Sequence, residues 1–404
     1  MSSFKAAEKM KEILGRYFED FKDSSNKVAW VTSVGPAELL HSFGFKVYYP
    51  ENHGAMLGAS KRASDYIPYA NAVGYSPEIC SYLTSDVGAF LKGETPMSKA
   101  YGLKSVPKPD ILVYNTNQCR DVQDWFLFYG KYFNVPVIGV SSPKNINEVD
   151  DVVINDVANQ IRSLVPTLEK VSGVKFDLDR FKEVVKKSYD TTILWKECLF
   201  FGKNIPSPLT FFDYNIFMAP AVVLRGTDDA INFYKELNSE IRERVSQSLS
   251  TVKNQKVRLY WDGMPVWGRL RMLSELFNEL GVAIVVSTYC NSWIFEDFGY
   301  DFNKPFESMA KAYLELFIVR SEPVKEGIVT KWMNEFKTDG IIYHDAKTCP
   351  YNSNSRYGMP QRIQKKTSKP YLIINGDLND MRLFSDEQSK TNVEAFVEQI
   401  LDNK

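Results

Sequence analysis

Three cysteines carry the clearest chemical signal in this chain. Cys80, Cys119 and Cys349 each end a polar approach: Ser76-Pro-Glu-Ile, Asn115-Thr-Asn-Gln and Lys347-Thr. The second and third follow apolar strands that open on an acid, Asp110-Ile-Leu-Val-Tyr114 and Asp339-Gly-Ile-Ile-Tyr-His344. Ligands of open α/β sheets sit beyond the carboxyl ends of the strands, which is where these thiols fall. Cys80 stands at the start of a helix over 81–91, and a helix N-terminus favours the thiolate. The chain has five cysteines in all. Cys198 lies inside the helical run Trp195-Lys-Glu-Cys-Leu-Phe200 and Cys290 follows a strand end. Both read as small buried hydrophobes, the usual fate of a free cysteine. An odd, scattered set argues against a disulfide framework, and no C-x-x-C pair gives a zinc ribbon or a thioredoxin motif. Metal binding and catalysis by single thiols both stay open. Three thiolates brought to one cleft suit an iron–sulfur cluster with one iron left free.

Other side chains sit at comparable places. Glu51 lies on the loop after the second strand, where a carboxylate can serve as acid or base or can simply favour a helix start. Ser33 follows the first strand and on its own is a turn former. His344, near Cys349, and His53, beside Glu51, read as hydrogen-bonding core histidines before they read as catalysts. Phe211-Phe212-Asp213-Tyr214, Trp261 and Trp267 read as core packing, with an acyl-pocket wall as the alternative.

The elements that must hold these residues follow from periodicity. A helix over 4–22 precedes the strand 28–34, the turn Gly35-Pro36, the helix 37–43 capped by Gly44, and the strand 45–50. A helix over 54–66 follows, then the strand 111–114, the helix 121–133 and the strand 135–141. Residues 147–171, 178–202 and 228–252 read as long helices of a linking region without chemistry of its own. Alternation then returns with the strand 256–261, a helix 267–279, the strand 282–287, a helix 322–337 and the strand to His344. The chain closes with a helix 354–367 interrupted at Pro360, the strand 370–374 and a helix 387–402. This predicts an α/β protein of two Rossmann-like domains with parallel sheets, 1–145 and 256–404, joined by a helical region, 146–255. The two halves read as one unit used twice, their strand ends facing a shared cleft.

The chain of 404 residues has 44% hydrophobic and 25% charged residues and a formal net charge of -1. These values fit a soluble globular protein and give no basic field for nucleic acid. No signal peptide or membrane-length apolar run is visible, so a cytoplasmic location is expected.

In order and spacing, several stretches resemble the cluster-bearing subunits of the 2-hydroxyacyl-CoA dehydratase and benzoyl-CoA reductase family. They are Thr32-Ser-Val-Gly-Pro-Ala-Glu38, Tyr49-Pro-Glu-Asn52, Gly74-Tyr-Ser-Pro-Glu-Ile-Cys-Ser-Tyr82, Asn115-Thr-Asn-Gln-Cys119, Asp339–His344 with Cys349, Gly376-Asp377, Phe384-Ser385 and Ala395-Phe396. The resemblance implies an oxygen-sensitive [4Fe-4S] cluster on Cys80, Cys119 and Cys349, with Ser33 and Glu51 at substrate. It implies a heterodimer with a related second subunit, an ATP-dependent iron–sulfur activator and an acyl-CoA substrate. The implied reaction removes water from a 2-hydroxyacyl-CoA through a ketyl radical. The alternatives are ATP-dependent reduction of an aromatic acyl-CoA and a non-catalytic, cluster-carrying electron-transfer subunit. No G-x-x-x-x-G-K-[ST] loop or G-x-G-x-x-G fingerprint is present, in keeping with a separate nucleotide-hydrolysing partner. Lys347-Thr348 stands where family members often carry Arg beside the third cysteine, and Thr391-Asn392 where Thr-Arg is common.

Overall fold

The structure, a computed structural model, describes residues 4–295 and 299–404; Met1–Ser3 of the amino-terminal stretch lie outside it. Two four-stranded, wholly parallel sheets form its frame. The first contains β1 (Val28–Val31), β2 (Lys46–Tyr48), β3 (Ile111–Asn115) and β4 (Val137–Val140), in the order β2-β1-β3-β4. The second contains β5 (Val257–Asp262), β6 (Val282–Ser287), β7 (Gly340–Ala346) and β8 (Tyr371–Gly376), in the order β6-β5-β7-β8. The halves thus share one topology, as their sequence patterns imply. In each, the strand order reverses between the first and third strands, and this switch point opens a crevice at the carboxyl ends.

The acids that open β3 and β7 have matching structural roles. Asp110 accepts the Val28 backbone N–H at 2.8 Å, and Asp339 accepts the Arg258 N–H at 2.8 Å. Each carboxylate closes the ladder where the neighbouring strand begins and would otherwise leave an unpaired donor.

Helices between 151 and 246 pack into one continuous apolar core that includes residues of both sheets. Phe211 stacks on Trp261 of β5, with ring centroids 5.2 Å apart. Phe211, Phe212, Tyr214 and Trp261 are buried there, as the packing reading expects.

Several boundaries differ from the sequence reading for local reasons. The single helix expected over 54–66 is two, Pro50–Ala59 and Ala63–Ala72. Pro50 occupies the first turn, where no N–H is needed, so the helix starts early. Lys61, at a φ of 61°, separates it from the next. The same physics puts Pro360 at the start of the helix Met359–Thr367 instead of in its middle. Residues 147–171 likewise split into Asp151–Ser163 and Val165–Ser172, with Pro166 in the second helix's first turn. No helix among the described residues is long and apolar enough to cross a membrane.

Candidate functional site

A cavity of about 120 Å3 lies between the two halves. Cys80, Cys119 and Cys349 all line it, together with Ser33 and Glu51. Cys119 lies four residues beyond β3, and Cys349 three beyond β7, at equivalent positions of the repeated unit. Ser33 and Met264 follow β1 and β5, so residues from both switch points face this space. Cys80 comes from neither sheet. It is the residue before the helix Ser81–Lys92, which ends at Gly93 in the left-handed conformation, φ 73°.

Two acids, the part-exposed Asp121 and the buried Asp377, bind the thiol-bearing loops to one another. Asp121 accepts the Cys80 backbone N–H at 3.2 Å and opens the helix that follows Cys119. Asp377, beyond β8, accepts the Thr348 N–H at 2.9 Å and the Thr348 hydroxyl at 2.6 Å. Its other oxygen accepts the Ser81 hydroxyl and the N–H groups of Asn379 and Asp380. Ser81 also donates its N–H to Thr348 Oγ1 at 3.0 Å. The residues next to Cys80 and Cys349 are therefore clamped through one carboxylate. Gly376-Asp377 was visible as a motif, but its role depends on Ser81 and Thr348 being brought to it.

All three thiols are free and only part-exposed. Burial, first, and then neighbouring Asp121 and Cys349 push the Cys119 thiol up to about 12. Burial and then Asp377 push Cys349 up to about 12. Cys80 is also raised, by burial and by the other two cysteines. This corrects the expectation of a thiolate at Cys80: desolvation and like charge outweigh the helix terminus. Without a cationic group the sulfurs keep their protons, and a group bearing positive irons would reverse that balance. Among the described residues, no set of three or more His, Cys, Asp or Glu side chains is arranged to hold a single metal ion. A multinuclear cluster would instead take each thiolate on a different iron.

Ser33 and Glu51 are brought together. The Ser33 backbone N–H donates to a Glu51 carboxylate oxygen, and both residues are buried. Burial lifts Glu51 above the ordinary carboxylate value, opposed by hydrogen bonds from Ser33 and Gln118 and by the charge of Arg225. Arg225 was missed in the sequence. It lies in the helical region expected to have no chemistry, yet it donates to Ser33 O at 2.8 Å, Gly35 O at 2.7 Å and Glu38 at 3.1 Å. The turn after β1 owes its shape to this guanidinium. Lys144 does the same for the Cys119 loop, donating to Gln118 O at 2.6 Å. Burial lowers Lys144 to about 8, opposed by the nearby Cys119 and Cys349.

His344 does not line the cavity. Its Nδ1 meets Met264 O at 2.6 Å, and burial lowers its pKa. His53 is held between Asp86 and Thr95. Both are the hydrogen-bonding core histidines the sequence suggested. Cys198 and Cys290 are fully buried in the main core. Trp267 packs, part-exposed, against a core cluster, donates to the Tyr82 hydroxyl and also lines a second cavity.

Paired parallel sheets with thiols at equivalent strand ends define a two-lobed α/β protein whose site is shared between the lobes. Residues 32–400 match the model of the 2-hydroxyglutaryl-CoA dehydratase D-component family, and the chain belongs to that family. It is 29% identical to the (R)-2-hydroxyisocaproyl-CoA dehydratase alpha subunit of Clostridioides difficile, over 95% of this chain and 92% of that protein. It is 29% identical to the alpha subunit of lactoyl-CoA dehydratase from Anaerotignum propionicum, over 98% and 96%. It is also 29% identical to a subunit of the benzoyl-CoA reductase of Thauera aromatica, over 98% and 94%.

Proposed function

We propose that this chain is a catalytic subunit of a 2-hydroxyacyl-CoA dehydratase and that Cys80, Cys119 and Cys349 hold a [4Fe-4S] cluster in it. The observation that carries the reading is that these cysteines line one cavity with Ser33 and Glu51. Family membership supplies the reaction class. When bound, such a cluster would supply an electron to the thioester carbonyl and a Lewis-acidic iron for the departing 2-hydroxyl. Glu51, raised by burial above the ordinary carboxylate value, gives and takes protons at its carboxyl oxygens. The Ser33 hydroxyl, on a turn fixed by Arg225, offers a hydrogen bond to an oxygen of the substrate. Tyr82, Tyr289 and Met264 wall the space and limit water around the reacting atoms. Asp121 and Asp377 fix the backbone that carries the sulfurs.

The relatives are themselves named as single subunits of dehydratases and of a reductase, which supports a partner chain for this protein as well. A related second subunit and an ATP-dependent, cluster-containing activator complete the proposed system. A thioester carbonyl needs a very strong reductant, and protein-bound clusters reach about -700 mV at the extreme. The equal identity to the benzoyl-CoA reductase chain favours ring reduction of an aromatic acyl-CoA as the second reading. Turnovers per ATP separate the two in an anaerobic assay with activator. Many turnovers per ATP are expected, because dehydration returns its electron. A fixed low ratio would establish reduction, and turnover without activator or ATP would remove both readings.

A further inference from the structure

We propose that a second cavity, of about 210 Å3, receives the substrate's acyl tail and selects branched or aromatic tails without charge. The inference rests on the acyl-CoA reading above and specifies the substrate class within it. Asn52, Ala55 and Tyr289 line both this cavity and the one that holds the cysteines, so the two spaces adjoin across these side chains. A substrate whose reacting carbons lie beside Ser33 and Glu51 has this cavity as the next room for its side chain.

The walls decide what fits. They are built mainly of aliphatic and aromatic side chains, among them Met56, Met218, Val222 and Trp267. Among the described residues, no Lys, Arg, Asp or Glu lines the cavity. The imidazole in its wall, His53, has Nδ1 on Asp86 and Nε2 on Thr95 at 2.9 Å. Both ring nitrogens are thus occupied within the protein, so His53 has no hydrogen bond left for a ligand anion. Arg225 lies behind the Tyr49 ring, 5.7 Å from its centroid, and spends its N–H groups on Glu38 and on the carbonyls of Ser33, Val222 and Gly35. A tail ending in a carboxylate would lose its water here and find no cationic partner, only neutral groups such as the Tyr48 and Tyr49 hydroxyls and Asn52, too little to offset burying a charge. An apolar cavity of about 150 Å3 accommodates benzene. The larger volume here therefore admits a phenyl ring or a branched four-carbon chain. A methyl tail would leave most of the cavity unfilled and forgo about a factor of four in affinity per missing methylene.

Equilibrium binding of non-reacting CoA thioethers to the protein as purified tests this without turnover. The tails are methyl, isobutyl, benzyl and 2-carboxyethyl, with dissociation constants from anaerobic calorimetry. Isobutyl and benzyl are expected to bind at least tenfold tighter than methyl and than 2-carboxyethyl. Met218→Trp, which fills the cavity from a wall that the cysteine cavity lacks, is expected to narrow the isobutyl-to-methyl gap to under threefold. The unsubstituted protein alone already tests the preference, whether or not the variant folds. Equal affinity for all four tails, or a 2-carboxyethyl tail that binds best, overturns the proposal and leaves the acyl-CoA reading intact. A Met218→Trp protein that loses affinity equally for every tail also overturns it, since the CoA arm would then be the occupant. Absence of binding by any thioether overturns the acyl-CoA reading and the proposal together.

Discussion

Replacing Asp377 by alanine tests whether the thiol loops are held by one carboxylate. Asp377 is completely buried and accepts five hydrogen bonds: from the Ser81 hydroxyl, from the Thr348 N–H and hydroxyl, and from the N–H groups of Asn379 and Asp380. The two hydroxyls can turn to other acceptors. The three backbone N–H groups cannot, and an orphaned buried donor costs about 1–3 kcal/mol. The floor for Asp377→Ala is therefore about 3 kcal/mol, close to the roughly 3–5 kcal/mol seen when one member of a buried charged network is removed. Asp377→Asn keeps one acceptor oxygen and turns an NH2 group toward donors, so about 1–3 kcal/mol is expected. Urea unfolding of the anaerobic protein measures both, read as a shift of midpoint at unchanged slope. Iron content gives a second readout, because Ser81 and Thr348 adjoin Cys80 and Cys349. An Asp377→Ala protein within about 1 kcal/mol of the parent would refute the clamp, since even the cheapest set of orphaned donors exceeds that.

Four further outcomes follow from the same geometry. Cys80→Ser, Cys119→Ser and Cys349→Ser should each lose iron by anaerobic metal and sulfide analysis, while Cys198→Ser and Cys290→Ser in the core should not; full iron in any of the first three removes that residue from the ligand set. Glu51→Gln should lower turnover about 10²–10⁴-fold, the usual scale of a lost acid or base, with iron content retained, and near-normal turnover would show that another group moves the proton. Because burial raises Glu51 in the folded protein, the native state holds this proton more tightly than the unfolded chain does. Stability tied to this carboxyl is thus lost as pH climbs from the unfolded value of 4.5 through the raised folded one, and Glu51→Gln should gain melting temperature relative to the parent over that rise. Gly58→Ala would place a Cβ 2.0 Å from Asn379 Oδ1 and 2.8 Å from the Trp267 Cβ, so a loss of about 1–3 kcal/mol in the same urea titration is expected, and no loss would show that the 377–381 turn moves freely.

The sequence by itself determined the parallel α/β class and the repeated strand–helix–strand unit, through its alternation of short apolar runs with helices and its glycine-marked turns; the order of the strands within each sheet came from the tertiary structure. It determined the placement of Cys119 and Cys349, because a residue a few positions past a parallel strand has nowhere to go but the carboxyl edge of the sheet. It marked Ser33 and Glu51 in the same way. It misjudged helix starts at Pro50, Pro166 and Pro360, where a ring without an N–H is accepted only in a first turn. It took Cys80 for a thiolate because a helix terminus is local and readable, whereas the burial and the two sulfurs that outweigh it come from residues 39 and more positions away. Arg225, Lys144 and Asp377 show the same limit. An arginine in a helical stretch, a lysine after a strand and an acid after a glycine carry no signal of what they will bond. Only the packing of both sheets against one helical core brought them to Ser33, Gln118 and Ser81, because hydrogen bonds are short and the chain distances that separate these partners are long.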